Sequence, residues 1–166
     1  FSIPISDYKG QHQLLQYPDT QVVKSANSIT GRVDTVKSPY LRYSPGMSLQ
    51  YDRGLPPQLA LFKDGDTRLI CYDPSAPNAL LFATYSIAYA GYLAVPENGS
   101  TLIIQNGGGS AIACALASKK LQVFVIKKSS RFAEKIDQHY GIPAVAISPE
   151  IYLARTADRF DMIHLE

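Results

Sequence analysis

The sequence predicts an α/β protein in which a small β-rich domain of hairpins precedes a Rossmann-like parallel sheet, present as its first four strands. Three observations predict it. Thr101 to Ala117, TLIIQNGGGSAIACALA, runs β-prone residues into a glycine triplet and then into a small-residue helix, which is the first half of a nucleotide-binding βαβ unit. After it, apolar strands such as LQVFVI alternate with helical stretches, the pattern of a parallel sheet covered on both faces. Before residue 74 the pattern is β throughout and is punctuated by Pro, Gly and Asn. The expected division is 1–75 for the hairpin domain and 76–166 for the α/β half-domain.

In chain order, Phe1 to Ile5 reads as a docking arm and Asp7 to Gln16 as a turn of helix that ends before Tyr17-Pro18-Asp19. Gln21 to Lys24 and Arg32 to Lys37 show β-branched alternation, and Asn27 and Gly31 of SANSITG between them suit a hairpin connection. Met47 to Tyr51 is a weak strand. Leu59 to Lys63 and Arg68 to Tyr72 flank Asp64-Gly65-Asp66, a strong hairpin signal. Pro74 to Pro77 is a linker. Asn78 then suits the cap of a helix from Ala79 to Tyr92, with Leu80, Leu81, Tyr85, Ala88 and Tyr92 on one face. The remainder alternates: strand 101–105, helix 109–118, strand 121–126, helix 130–139, strand 143–147, helix 149–155 and strand 160–164. Such connections between parallel strands are right-handed.

Composition excludes several classes. The chain of 166 residues has a net charge of +2 and is 46% hydrophobic, so neither nucleic acid nor an anionic membrane surface is implied. No apolar run reaches the ~20 residues of a membrane span, and a cytoplasmic setting with two free thiols, Cys71 and Cys114, is expected. His12, His139 and His164 are far apart in sequence and form no metal pattern. The chain has no nucleophile elbow and no P-loop. Read from Gly107, the dinucleotide fingerprint puts Ile112 at its last position and fails. Both ends look cut, as in a piece of a longer protein, and Leu165-Glu166 matches the pair left by a common histidine-tag vector.

In the order of its parts the chain resembles the spermidine synthase (polyamine aminopropyltransferase) family, whose Rossmann-like sheet is of the methyltransferase type. Gly31-Arg32-Val33 and LFKDGD (Leu61 to Asp66) resemble the hairpins of its β domain. TLIIQNGGG resembles its glycine-loop motif, VFVIKKSSRF its second strand and helix, and RFDMIH its fourth strand. The likeness is closest to spermidine synthase-like domains within larger bacterial proteins. It implies S-adenosylmethionine or its decarboxylated form as ligand, bound at Gln105, Asn106, Gly107, Gly108 and Gly109. It also implies an acid at the tip of the second strand for the ribose, and a carboxylate pair after the fourth strand that deprotonates the attacking amine.

The chain departs from that pattern. Gln105 stands where the family has its first glycine. Lys127 stands at the ribose position, and an ammonium accepts no hydroxyl hydrogen bond. Lys127 and Lys128 read first as a solvated strand end, and alternatively as a pair facing a phosphate. Glu150 suits either an adenine pocket or the first turn of the helix it opens, the latter being preferred. No catalytic residue and no metal ligand is assigned. His164, at a strand's carboxyl end, has no visible partner in the sequence. The glycines themselves suit ligand approach and tight strand–helix packing equally. Three functions follow: a catalytically inactive binding or interaction module whose partner is the rest of a parent chain, with homo-oligomers possible; an aminopropyl- or methyltransferase whose carboxylates lie beyond residue 166; and a module for a phosphorylated nucleotide.

Overall fold

The computed structural model describes residues 5–28, 31–104, 108–118, 122–128 and 138–166. Alternation in the first half produces four antiparallel strands, β1 (Gln21–Ser28), β2 (Gly31–Lys37), β3 (Gln58–Lys63) and β4 (Thr67–Tyr72), ordered β1-β2-β3-β4. Strand β1 is longer than its sequence pattern: Asn27 is already paired with Arg32, and Ser28 with Gly31 closes the ladder. The Asp64-Gly65 turn forms as expected, with φ of 51° and 79°, the left-handed geometry that Gly and Asp supply at least cost. This turn also organises its surroundings. The Asp64 carboxylate accepts the Arg32 N–H at 2.8 Å, and the Gly65 carbonyl accepts the Gln11 N–H at 3.0 Å.

The helical turn expected near the amino end is α1 (Gly10–Leu15). It docks through a buried polar group as well as through Leu14 and Leu15, which pack against the apolar cluster. Asp34, 1% exposed, accepts from Gln11 Nε2 at 2.8 Å, Ser25 Oγ at 2.6 Å and Arg32 Nε at 2.8 Å. Burial pushes the Asp34 carboxyl up, but the bonds from Ser25, Arg32 and Gln11 and the Arg32 charge outweigh it and hold the group below its ordinary value.

The expected helix over 79–92 does not form. The segment breaks into 3-10 turns at Leu81–Tyr85 and Ile87–Tyr89 and one α-helical turn, α2 (Ala90–Leu93). Ser86 between them is extended (φ −85°, ψ 144°) because segment 46–48 competes for its neighbours' backbone. The Ser48 N–H goes to the Tyr85 carbonyl at 2.8 Å, and the Ile87 N–H to the Gly46 carbonyl at 3.0 Å. Of the expected weak strand at 47–51, only a bridge between Met47 and Ser86 remains. Asn78 is not a cap; its φ of 58° makes it a turn residue. Phe82, Ala83 and Tyr92 are the buried residues here, while Tyr85 is exposed.

The second sheet is parallel: β5 (Ser100–Ile104), β6 (Gln122–Lys127), β7 (Ala144–Ala146) and β8 (Met162–Leu165), in the order β7-β6-β5-β8. Helix α3 (Ser110–Ser118) follows β5, and α4 (Pro149–Arg155) lies between β7 and β8. The helix expected at 130–139 falls largely outside the described residues. Ala111 to Ala115 of α3 are all buried and share one apolar cluster with Ile103, Val125 and the first sheet's Ala60, Phe62, Ile70 and Tyr72. The opposite face of the parallel sheet carries Leu102, Ile104 and Ile126, packed by Ile147, Tyr152 and Phe160. The described residues cover that face only in part, since Phe124, Val145, Ile163 and Leu165 remain exposed.

Replacing Asp34 by Asn leaves three donors converging on a neutral amide, and D34N is expected to lose about 2–4 kcal/mol in urea unfolding. Because the folded carboxyl is held low, its contribution is present above the unfolded value of 3.8 and is lost as pH falls through the lower folded value. The gap between wild type and D34N must therefore close in acid, which unfolding curves measured at a series of pH values will check.

Candidate functional site

The order β7-β6-β5-β8 places the first strand of the parallel sheet between the second and the fourth, which is the doubly wound arrangement. Ligands of such sheets bind at the carboxyl ends of the strands where the order reverses, here between β5 and β8. A small cavity of about 170 Å³ opens at that point, lined by Tyr43, Ile70, Tyr72, Gly109, Ser110 and Glu166 among others. One side is the turn into α3 and the tip of β8; the other is contributed by the antiparallel sheet and its approach.

Of the glycine loop, Gly108 and Gly109 line this cavity. Gln105, Asn106 and Gly107 lie outside the described residues. Gly108 is pressed on the first sheet: a Cβ there would stand 2.2 Å from the Ile70 nitrogen and 2.3 Å from its oxygen. A Cβ on Gly109 would stand 2.5 Å from the Tyr140 hydroxyl. Close packing is thus what these two positions demand. Tyr140 accepts the Tyr72 N–H at 2.8 Å, and the preceding His139 places Nε2 2.9 Å from the Tyr72 carbonyl. Adjacent side chains therefore take both polar backbone groups of the last residue of β4.

Lys127 is not a solvated strand end. It is the last residue of β6, 4% exposed, whereas Lys128 is exposed. Parallel pairing explains the difference, because Val125 lies opposite Ile103 and the period of two carries Lys127 onto the same α3-facing side. Burial pushes its ammonium below the ordinary lysine range, and the Glu166 carboxylate partly opposes that. Glu150 is exposed in the first turn of α4, where its carboxylate accepts the Ser148 hydroxyl. That bond holds the Glu150 carboxyl below its ordinary value. It does not line the cavity, and the helix-turn interpretation is the one observed.

Two residues gain partners that the sequence did not disclose. Glu166, set aside as vector-like, continues β8: its N–H donates to the Ile104 carbonyl at 3.1 Å. Its Oε1 accepts the Ser110 N–H at 2.8 Å, the Gly109 N–H at 3.3 Å and the Ser110 hydroxyl. The available signal was the apolar strand DMIHL, which delivers the next residue to the carboxyl end of a parallel strand. His164 Nδ1 lies 2.8 Å from the Tyr92 hydroxyl, which donates to the Ala111 carbonyl at 3.1 Å. Burial lowers the His164 pKa, consistent with a neutral ring fixed between β8 and α3. Cys71 and Cys114 are free and buried, and burial pushes their thiols up to about 12 and about 11. No group of His, Cys, Asp and Glu that could hold a metal occurs among the described residues, and none of their helices is long and apolar enough to cross a membrane.

A four-stranded antiparallel sheet joined to a four-stranded parallel one, with a glycine turn at the switch point, defines a mixed α/β protein of methyltransferase-like fold. More closely, the fold is spermidine synthase-like. The chain is similar to the spermidine synthase from Thermotoga maritima, with a TM-score of 0.52, 16% identity, and coverage of 87% of this chain and 47% of that one. It is similar to a spermidine synthase in complex with the transition state analogue AdoDATO, with a TM-score of 0.54, the same identity and the same coverage. It thus spans about half the length of these structures, and at 16% identity the likeness is one of fold. The sequence matches no protein-family model and no curated protein.

Because Gly108 abuts backbone that cannot withdraw, G108A is expected to cost about 3 kcal/mol or more. G54A, where a Cβ would meet nothing within 4 Å, serves as the control and should stay within about 0.5 kcal/mol of wild type. Parallel denaturant titrations of the two variants measure the contrast.

Proposed function

We propose that this chain is a spermidine synthase-like domain that serves as a binding or interaction module of a larger protein and does not catalyse aminopropyl or methyl transfer. The observation that carries this is Lys127. The resemblance asks for an acid at the tip of the second parallel strand to accept two ribose hydroxyls, and here a buried ammonium occupies it. An ammonium only donates; in a low-dielectric setting it also disfavours a further cation such as a sulfonium. Gly108 and Gly109, which a nucleoside would approach, abut Ile70 and Tyr140. The third function, a phosphorylated-nucleotide module, loses its support, since Lys127 is not presented to solvent beside Lys128.

A transferase remains the second reading, favoured by one observation. Glu166 directly follows β8, the fourth strand of the parallel sheet, and its carboxylate lines the cavity. That is the place where the resemblance puts an amine-activating carboxylate. Under this reading the ligand is S-adenosylmethionine or decarboxylated S-adenosylmethionine, the class to which the analogue bound in the second similar structure points.

Titration calorimetry of the purified chain with each of the two ligands separates the readings. The module reading expects no saturable heat with either. Binding at micromolar affinity with a stoichiometry near one overturns it and favours the transferase.

A further inference from the structure

Residues 43–51 and 74–96 contain no Asp, Glu, Lys, Arg or His, in a chain that is 18% charged. The two segments meet at the surface. The Ser48 N–H donates to the Tyr85 carbonyl, the Ile87 N–H donates to the Gly46 carbonyl, and the rings of Tyr51 and Tyr85 lie 5.2 Å apart. Where they join, an open groove of about 430 Å³ is lined by Ser48, Gln50, Tyr85, Ile87, Tyr89 and Leu93 among others. The three most exposed large aliphatic side chains among the described residues gather here. Ile87 is 80% exposed and Leu93 74%, and Leu49, which stands between the lining residues Ser48 and Gln50, is fully exposed.

Three hydroxyls of the groove are already engaged within the chain. The Thr84 hydroxyl donates to the Leu81 carbonyl at 2.8 Å, Ser86 Oγ accepts the Ala88 N–H at 3.1 Å, and Ser48 Oγ accepts the Gln50 N–H at 3.2 Å. Covering them therefore strands few polar groups away from water. The groove shares no lining residue with the cavity between β5 and β8, so it stands apart from the question of a ligand there.

We propose that this uncharged face is where two copies of the chain meet about a two-fold axis, Leu49 of each entering the groove of the other. A two-fold contact brings one patch against itself, so that residue i meets j and j meets i. Charges close to the axis then face their own like, which opposes association; a face without charges escapes that repulsion. The face also holds both halves of such a contact, a protruding side chain and an apolar groove beside it. An unrelated partner needs only one of the two. A lipid surface fits less well, because interfacial apolar faces are accompanied by Lys and Arg, and neither segment has any.

Sedimentation equilibrium over a micromolar concentration series tests this. Wild type is expected to show a reversible monomer–dimer equilibrium. L49D, at a position with no packing to lose, should weaken the dimer at least about a hundredfold. L93D, within the groove, should do the same and decides the matter if L49D does not fold. Y8D changes a residue that is 92% exposed and does not line the groove, and should leave the equilibrium unchanged. A wild type that stays monomeric, a dimer indifferent to both groove variants, or a dimer that Y8D weakens equally overturns the proposal. Co-sedimentation with phosphatidylcholine vesicles is the second arm: binding that depends on Leu49 assigns the face to lipid and overturns the proposal as well.

Discussion

The outer edge of β4 is the constraint on which the two sheets depend. An edge strand presents unpaired N–H and C=O groups, and burying them without partners costs more than apolar contact returns. Strand β4 is such an edge, and it is turned inward against the α/β half. At Tyr72 the chain satisfies it with side chains instead of another strand. Tyr140 and His139 take the N–H and carbonyl of Tyr72, and Gly108 lies flat against the backbone of Ile70. Only with these in place can Ile70 and Tyr72 share one apolar cluster with Ile103 and the alanines of α3.

The same solution narrows what the cavity can do. In a nucleotide-binding loop, glycine lets the backbone come close to a ligand; here Gly108 and Gly109 come close to Ile70 and Tyr140. The tip of the second parallel strand carries a buried cation, and the tip of the fourth carries a carboxylate turned back onto the start of α3. Each element stands where a ligand-binding α/β sheet would have it, yet the described groups at its mouth are engaged with other parts of the same chain. The fold is shared with much longer proteins, and fold alone does not determine chemistry.

Much of the architecture was legible in local pattern. Period-two alternation and the Asp64-Gly65 turn marked β2, β3 and β4, and the apolar runs marked β5 to β8 to within a residue or two. Pro149 at the first position of a helix marked α4. What failed was whatever a distant segment decides. The run from Ala79 to Tyr92 has helical periodicity, but Gly46 and Ser48 take the backbone groups around Ser86 that a continuous helix needs. Lys127 looked solvated because strand ends usually are, and only its pairing and the layer above it bury the side chain. Glu166 carried no signal as a single residue; its partners Gly109 and Ser110 lie 57 and 56 positions earlier. The grip of His139 and Tyr140 on Tyr72 spans 67 and 68 positions and has no sequence motif at all.

Amide hydrogen exchange at Tyr72 tests this account most directly, because that N–H lies on a sheet edge and donates to the Tyr140 hydroxyl oxygen. If Tyr140 seals the edge, the Tyr72 amide exchanges as slowly as core amides of β5, and Y140F accelerates it about tenfold, the equivalent of one buried hydrogen bond. A Tyr72 amide that exchanges as fast as those on the exposed edge of β1, or that is indifferent to Y140F, would contradict the account.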